Sequence, residues 1–352
     1  MLLKHLIEDT DVVKVKQEIL KSINNIDPAT NDPDLKQKNA DLLDKIYTIL
    51  NKGNVVDRIG ATLPSILKGE YSQSEIMNIA GAITDAPLTY NQKIQFSDNL
   101  AKDKVINAEI LLSPGSYTID QLCYNNQLNK AVFDHLKSYG VGKQMKGPAE
   151  HALAILSKDI SIQGKGDVNV KGTDVEIKAA IGSKGNGGRF GETGEVPPYE
   201  TILKLLHSYE WLKDPLDAQR AKSKNGAVNL KAFTALLNAI PNVDPAQRKD
   251  LATKLGDLFF GGQSSIFVNE LAKPNADPNT VNRAYVKSQF NWYKSSNMGG
   301  SWEVLVGIIF ATNSVGVLRN ADDLDKINTT GGTIYILYGK PMEALFQFNP
   351  KI

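Results

Sequence analysis

Gly166-Asp167-Val168-Asn169-Val170-Lys171-Gly172-Thr173-Asp174-Val175-Glu176-Ile177-Lys178 is the stretch that decides the fold. Apolar and polar residues alternate through most of it, the period of a β-strand, whose side chains point to opposite faces in turn. Val168 and Val170 therefore share one face, and Asp167 and Asn169 the other. Further on, Val175, Ile177 and Ala179 lie on one face, with Glu176 and Lys178 opposite them. A two-residue turn at Lys171-Gly172 pairs Val170 with Thr173, Asn169 with Asp174, Val168 with Val175, and Asp167 with Glu176. That register keeps apolar opposite apolar. It also sets two carboxylates across from each other, with β-carbons about 4.5–5.5 Å apart, where like charges repel. A divalent cation between them would turn repulsion into binding. The turn asks Lys171 for a positive φ, which lysine does not favour. A bulged or longer turn would shift the pairing but leave each residue on its own face. A solvated polar face on an ordinary hairpin is the competing interpretation.

Working outward, Gly147-Pro148-Ala149-Glu150-His151-Ala152-Leu153-Ala154-Ile155-Leu156 opens with turn residues and continues as a helix. On the other side, Gly182-Ser183-Lys184-Gly185-Asn186-Gly187-Gly188-Arg189-Phe190-Gly191 is a glycine-rich basic loop. An acidic helix, a strand, a Gly-Asp strand and then a Glu-x-Lys strand resemble the PD-(D/E)XK nuclease superfamily. The resemblance is strongest over residues 140–190. It implies a restriction-endonuclease-like fold of α+β or α/β class, a mixed β-sheet core flanked by helices. It further implies that Asp167 is the metal-ligating aspartate, Glu176 the acidic member of the Glu-x-Lys pair, and Lys178 its lysine. Glu150 matches the helical glutamate that many members add to the metal site. Its alternative role is a negative charge favoured at a helix N-terminus. The chain departs from the pattern in placing Gly166 where the family has proline. The long separation of Lys178 from the next candidate strand implies a large helical insertion, at about 197–275.

The implied chemistry is phosphodiester hydrolysis. Mg2+ prefers hard oxygen ligands, commonly one or two carboxylates with water and substrate phosphate completing the shell. Asp167 and Glu176 supply these, the Ile177 carbonyl adds a backbone ligand, and Mn2+ is expected to substitute. Lys178 would orient or deprotonate the attacking water, or neutralise developing charge. Lys165, Lys184 and Arg189 stand in glycine-flanked positions suited to a phosphate backbone. Between Val141 and Phe190 there are eight Lys and Arg against five Asp and Glu. The chain as a whole carries a net charge of only +1, so attraction to nucleic acid must be local. The expected function is a metal-dependent nuclease, an endonuclease with DNA preferred over RNA or branched DNA. A homodimer is expected by analogy with enzymes that cut both strands. A non-catalytic nucleic-acid-binding or assembly protein with a nuclease-like domain is the alternative.

The rest of the chain sets the frame. Of 352 residues, 41% are hydrophobic and 22% charged, as in a soluble globular protein. Cys123, the single cysteine, excludes an internal disulfide and a cysteine-rich zinc site. The opening MLLKHLIEDTD is too charged for a signal peptide, and Val304 to Ala311 is too short to span a membrane. A soluble, cytoplasmic protein with no membrane partner is expected. Residues 1–136 read as a helical domain, with apolar spacing over Val12–Ile23 and Asp34–Leu50, punctuated by Pro28, Pro33, Pro64 and Pro87. Residues 137–352 form the nuclease-like domain. Asp244-Pro245 marks a helix start, residues 273–278 a linker or turn, and about Asn279 to Tyr293 a helix. Strands are expected at Glu303–Phe310, Ser314–Leu318, Thr333–Tyr338 and Leu345–Phe348. The glycine loop at 185–191 has Phe190 where a dinucleotide fingerprint needs glycine, and no phosphate loop or zinc-binding histidine spacing occurs. The aromatic and basic residues from Arg283 to Lys294 are read as core with a solvated edge.

Overall fold

The computed structural model describes residues 32–67, 71–141, 147–162, 166–180, 188–189, 197–223, 225–295, 302–327, 334–338 and 347–348; residues 43–54, 188–189 and 347–348 are described by backbone alone. The helix expected at Val12–Ile23 lies outside these residues. The protein is of mixed α+β class, built as two compact units that interleave in sequence. One comprises residues 1–106, 123–137 and 152–159. The other comprises 107–122, 138–151 and 160–352.

The first unit is helical, with helices Pro33–Leu67, Gln73–Thr84, Tyr90–Ala101 and Gln127–Leu136. Ser72 with Glu75 and Thr89 with Gln92 form reciprocal capping boxes at two of the helix starts. Ile59, Leu63, Ile83, Phe96, Leu100 and Phe133 fill its interior. Pro33 opens a helix and Pro87 separates two, as expected, but Pro64 lies inside the helix Pro33–Leu67. It falls in that helix's last turn, where one forfeited backbone bond is tolerated beside the buried Leu63 and Ile66.

The second unit contains a six-stranded sheet. Its strands are β1 (Gly115–Thr118), β2 (Ile160–Ser161), β3 (Val168–Val170) and β4 (Thr173–Ala180), with β7 (Val304–Ile309) and β8 (Ser314–Leu318). Two further strand pairs join β5 (Gly188–Arg189) to β10 (Gln347–Phe348), and β6 (Val228–Asn229) to β9 (Tyr335–Leu337). The order across the main sheet is β1-β8-β7-β4-β3-β2. Only β4 and β7 run parallel; the other neighbours in this sheet are antiparallel. A parallel pair needs a long crossover, and the helices between residues 199 and 295 supply it. β1 comes from inside the region expected to be wholly helical. Gly115 and its three successors pair with Val317 to Ser314, a long-range contact that their half-buried, non-periodic pattern does not announce.

The hairpin β3–β4 forms in the expected register, Val168 with Val175, Asn169 with Asp174, and Val170 with Thr173. Lys171 and Gly172 take φ of 51° and 88°, the two successive positive values of a mirror-image hairpin turn. Asn169 holds it closed. Its Oδ1 accepts from the Gly172 amide at 2.9 Å, and its Nδ2 donates to Asp174 Oδ1 at 3.0 Å.

The crossover contains helices Tyr199–His207, Glu210–Arg220, Leu230–Ala239, Pro245–Phe260, Ser265–Leu271 and Pro278–Ser295. Asp244 caps the fourth, accepting from the Ala246 amide at 2.9 Å, with Pro245 in its first turn. Phe233, Leu255, Phe267, Tyr285 and Phe290 form one buried cluster with Trp302, Leu305 and Leu318 of the sheet region. Tyr285 and Phe290 thus belong to the core, and Lys287 pairs at the edge with Asp322 and Asp325. Among the described residues no helix is long and apolar enough to cross a membrane.

Candidate functional site

Glu176 and Lys178 project from one face of β4, which lies between its partners β3 and β7. In-register residues share a face, so Leu305 lies beside Glu176 and Gly307 beside Lys178. The glycine places no side chain next to the lysine. Ile177, between the two, is buried on the opposite face. Glu176 is only 6% exposed. A carboxylate so buried needs partners, and it has two. Lys178 Nζ donates to Glu176 Oε1 at 2.5 Å, and the Tyr293 hydroxyl donates to the same oxygen at 2.5 Å. The lysine nitrogen also lies 5.6 Å from the centre of the Tyr293 ring.

Asp167 arrives differently from the simple cross-strand expectation. The regular ladder ends at Val168 and Val175. Beyond it the Asp167 amide donates to the Val175 carbonyl at 3.0 Å, and the Ile177 amide donates to Asp167 Oδ2 at 2.8 Å. The carboxylate is therefore anchored on the β4 backbone, at the residue between Glu176 and Lys178. Gly166 permits this crossing, because a β-carbon there would lie 2.6 Å from the Val175 carbonyl oxygen. The Gly-Asp sequence has a steric cause.

Charge reinforces the cluster. Burial pushes the Lys178 ammonium toward losing its proton, but Glu176, Tyr293 and Asp167 together outweigh it and hold the group above its ordinary range. Burial raises the Tyr293 phenol and the Glu176 carboxylate adds to this, against the opposing pull of Lys178. The phenol keeps its proton and serves as a donor.

Glu150 is the first residue of the helix Glu150–Leu156 and is 4% exposed. Its Oε1 accepts from the Gly147 amide at 2.8 Å, in the turn that precedes the helix. Ala149, just before it, has φ of 69°, a left-handed conformation uncommon for alanine. The structure thus groups Asp167, Glu176 and Lys178, whereas Glu150 contacts the Gly147 amide. Among the described residues no three histidine, cysteine, aspartate or glutamate side chains form a group that could hold a metal ion. The donors that could hold one are the Asp167 and Glu176 carboxylates. These are hard oxygens, and two carboxylates suit Mg2+, which retains water in the rest of its shell. Lys165 and Lys184 lie outside the described residues; Arg189 is on β5, paired with Gln347.

Tyr293 is the residue the sequence did not single out. Its ring belongs to the aromatic core, 5.7 Å from Trp302, as the helix pattern suggests. Only its hydroxyl reaches the cluster, across 117 residues of chain. The general rule that a buried tyrosine finds a partner for its hydroxyl was the one available signal. Compared with protein-family models, with curated proteins and with solved structures, the chain gives no match.

Proposed function

We propose that this protein is a Mg2+-dependent nuclease of restriction-endonuclease-like fold, hydrolysing phosphodiester bonds with DNA as the preferred substrate. The observation that carries the proposal is the pair of buried Glu176 and half-buried Lys178 on β4, with Asp167 anchored between them. Charges are expensive to remove from water, and a well-packed apolar pair would serve a sheet as well or better. Charge clusters kept at such cost concentrate at functional sites.

In this mechanism Asp167 and Glu176 would hold the metal ion, with the Ile177 carbonyl as a further oxygen donor; Glu150, which contacts the Gly147 amide, is not grouped with them. A Mg2+ ion held there would supply Lewis-acid polarisation of the phosphoryl oxygen and a more acidic water. Asp167 is fixed by the Ile177 amide, so its second oxygen has a defined direction. Lys178 stands beside Glu176 and brings a positive charge to the phosphate as negative charge develops on it.

The test is cleavage of supercoiled plasmid with and without Mg2+, repeated with Asp167→Ala and Lys178→Ala. Loss of nicking in both variants and in chelator supports the proposal. Equal cutting by wild type and variants would place the activity elsewhere. A panel of duplex, branched and single-stranded DNA and RNA then fixes the substrate.

A further inference from the structure

One oxygen of Glu176 receives two donors. Both the Lys178 ammonium and the Tyr293 hydroxyl end on Oε1, each at 2.5 Å. Two donors converging on one oxygen from different elements fix the carboxylate plane, because rotation about the Cγ–Cδ bond would break both contacts. Among the described residues no hydrogen bond reaches Oε2. Tyr293 is itself tightly held. It is 6% exposed on the helix Pro278–Ser295, and its ring packs against Trp302, which is 2% exposed.

We infer that Tyr293 is a positioning residue for the metal centre: with Lys178 it clamps Oε1 of Glu176, so that Oε2 is presented as the ligand oxygen. The inference rests on the nuclease proposal and deepens it, by assigning an outer partner to one of its two carboxylates. Groups that orient a metal-binding carboxylate typically matter about 10–100-fold in metal affinity or activity. The tyrosine hydroxyl is the one member of the cluster that can be deleted without altering its formal charge.

The experiment is Mn2+ binding to the full chain, followed by electron paramagnetic resonance of the free ion, for wild type, Glu176→Gln, Tyr293→Phe and Trp302→Phe. Thermal midpoints are measured alongside. The expected result is that Glu176→Gln abolishes binding and Tyr293→Phe weakens it about 10-fold. Trp302→Phe, which disturbs the same aromatic packing without touching the hydroxyl, should stay within about twofold of wild type whatever it does to stability. If wild type binds Mn2+ and Glu176→Gln does not, but Tyr293→Phe stays within twofold of wild type, the positioning role is overturned and the nuclease proposal stands. If wild type binds no Mn2+, both fall together. Should Tyr293→Phe fail to fold, 3-fluorotyrosine placed site-specifically at 293 reports the same contact. Its 19F resonance should move on addition of Mg2+, and an unmoved resonance in a chain that binds Mn2+ overturns the inference.

Discussion

The same compact unit buries charge at Arg248 and at the β4 cluster, and the two solve the problem in opposite ways. Arg248, 4% exposed on the helix Pro245–Phe260, has only neutral partners among its described contacts. Its guanidinium donates to the carbonyls of Leu237, Leu271 and Pro274 at 3.1 Å each and to Asn238 Oδ1 at 2.7 Å. Leu237 and Leu271 lie in the last turns of their helices, where carbonyls have no partner within the helix. Arginine's rigid fork of donors collects these leftovers. The fold explains the residue completely. At β4, by contrast, the strand ladders already satisfy the backbone, and Glu176, Lys178 and Tyr293 mainly satisfy one another. Deleting the whole group would leave few backbone groups orphaned. One buried charge serves the architecture, and the other is carried by it.

The largest expected effect tests that contrast at β4. The triple variant Glu176→Leu, Lys178→Met and Tyr293→Phe replaces the cluster by apolar residues of similar size. Nuclease activity should fall by about 10²–10⁴-fold, the usual worth of a positioned acid–base or charge-stabilising group. Stability to urea should be unchanged or higher by about 1–4 kcal/mol. Activity retained in the variant would remove the functional account. Stability lost by several kcal/mol would show that the cluster is architectural after all, like Arg248.

The reciprocal experiment comes next in size. Arg248→Met keeps much of the side-chain volume but strips the donors from four acceptors. A loss of about 3 kcal/mol in urea unfolding is expected, because hydrogen bonds to a charged group are worth about 1.5–3 kcal/mol and buried acceptors are costly to orphan. Cleavage per folded molecule, and its Mg2+ dependence, should not change. An activity loss with intact stability would couple the helical crossover to the site and dissolve the distinction.

Asp323 extends the comparison to another buried charge. It is 1% exposed and accepts from the amides of Arg319 at 2.9 Å and Asn320 at 3.1 Å, and from Lys326 Nζ at 2.8 Å. Burial pushes its carboxyl up, but these donors outweigh burial and hold it below the usual carboxylate value. A carboxylate depressed in the folded state stabilises above its unfolded pKa of about 3.9 and loses that contribution as pH falls through the folded value. Asp323→Asn should therefore cost about 1.5–3 kcal/mol at pH 7. The gap to wild type should begin to narrow near pH 4, where wild type loses its advantage. A gap independent of pH would mean that shape, not charge, is what the amides and Lys326 recognise.

What the sequence made legible divides along the same line. The hairpin could be read because its information is local: valines at period two, a glycine at the turn, and polar residues on the complementary face. Its register followed down to Val168 and Val175. The strands at β7 and β8 and the helix start at Asp244 were equally local. Asp167 was placed on the right strand, but its anchoring on the Ile177 amide was not visible. That contact depends on how closely the Gly166 backbone approaches Val175. Tyr293 and Arg248 were illegible for one reason. An aromatic among aromatics and an arginine on an amphipathic helix look ordinary until distant chain supplies Glu176 or the carbonyls of Leu237 and Leu271. β1 was missed because edge pairing with β8 is decided by the partner, and its four residues carry no alternation of their own.

The smallest expected effect separates the stability of the hairpin from the chemistry it presents. Lys171 pays a conformational penalty at φ of 51°, on the order of 1 kcal/mol for an ordinary L-residue in the left-handed region. Asparagine tolerates that region, and Asn-Gly is the preferred pair for this turn. Lys171→Asn also removes the exposed ion pair of Lys171 with Glu109, worth about 0–1 kcal/mol. The net gain should be about 0.5 kcal/mol, read as a small rise in the urea midpoint with an unchanged slope. Cleavage rate and Mn2+ affinity should stay at wild-type values, since neither the turn nor Glu109 touches Glu176, Lys178 or Asp167 in the contacts described. A change in metal affinity would mean that the turn's strain is transmitted along β3 to Asp167. The carboxylate's position would then depend on the whole hairpin as well as on its anchor at Ile177.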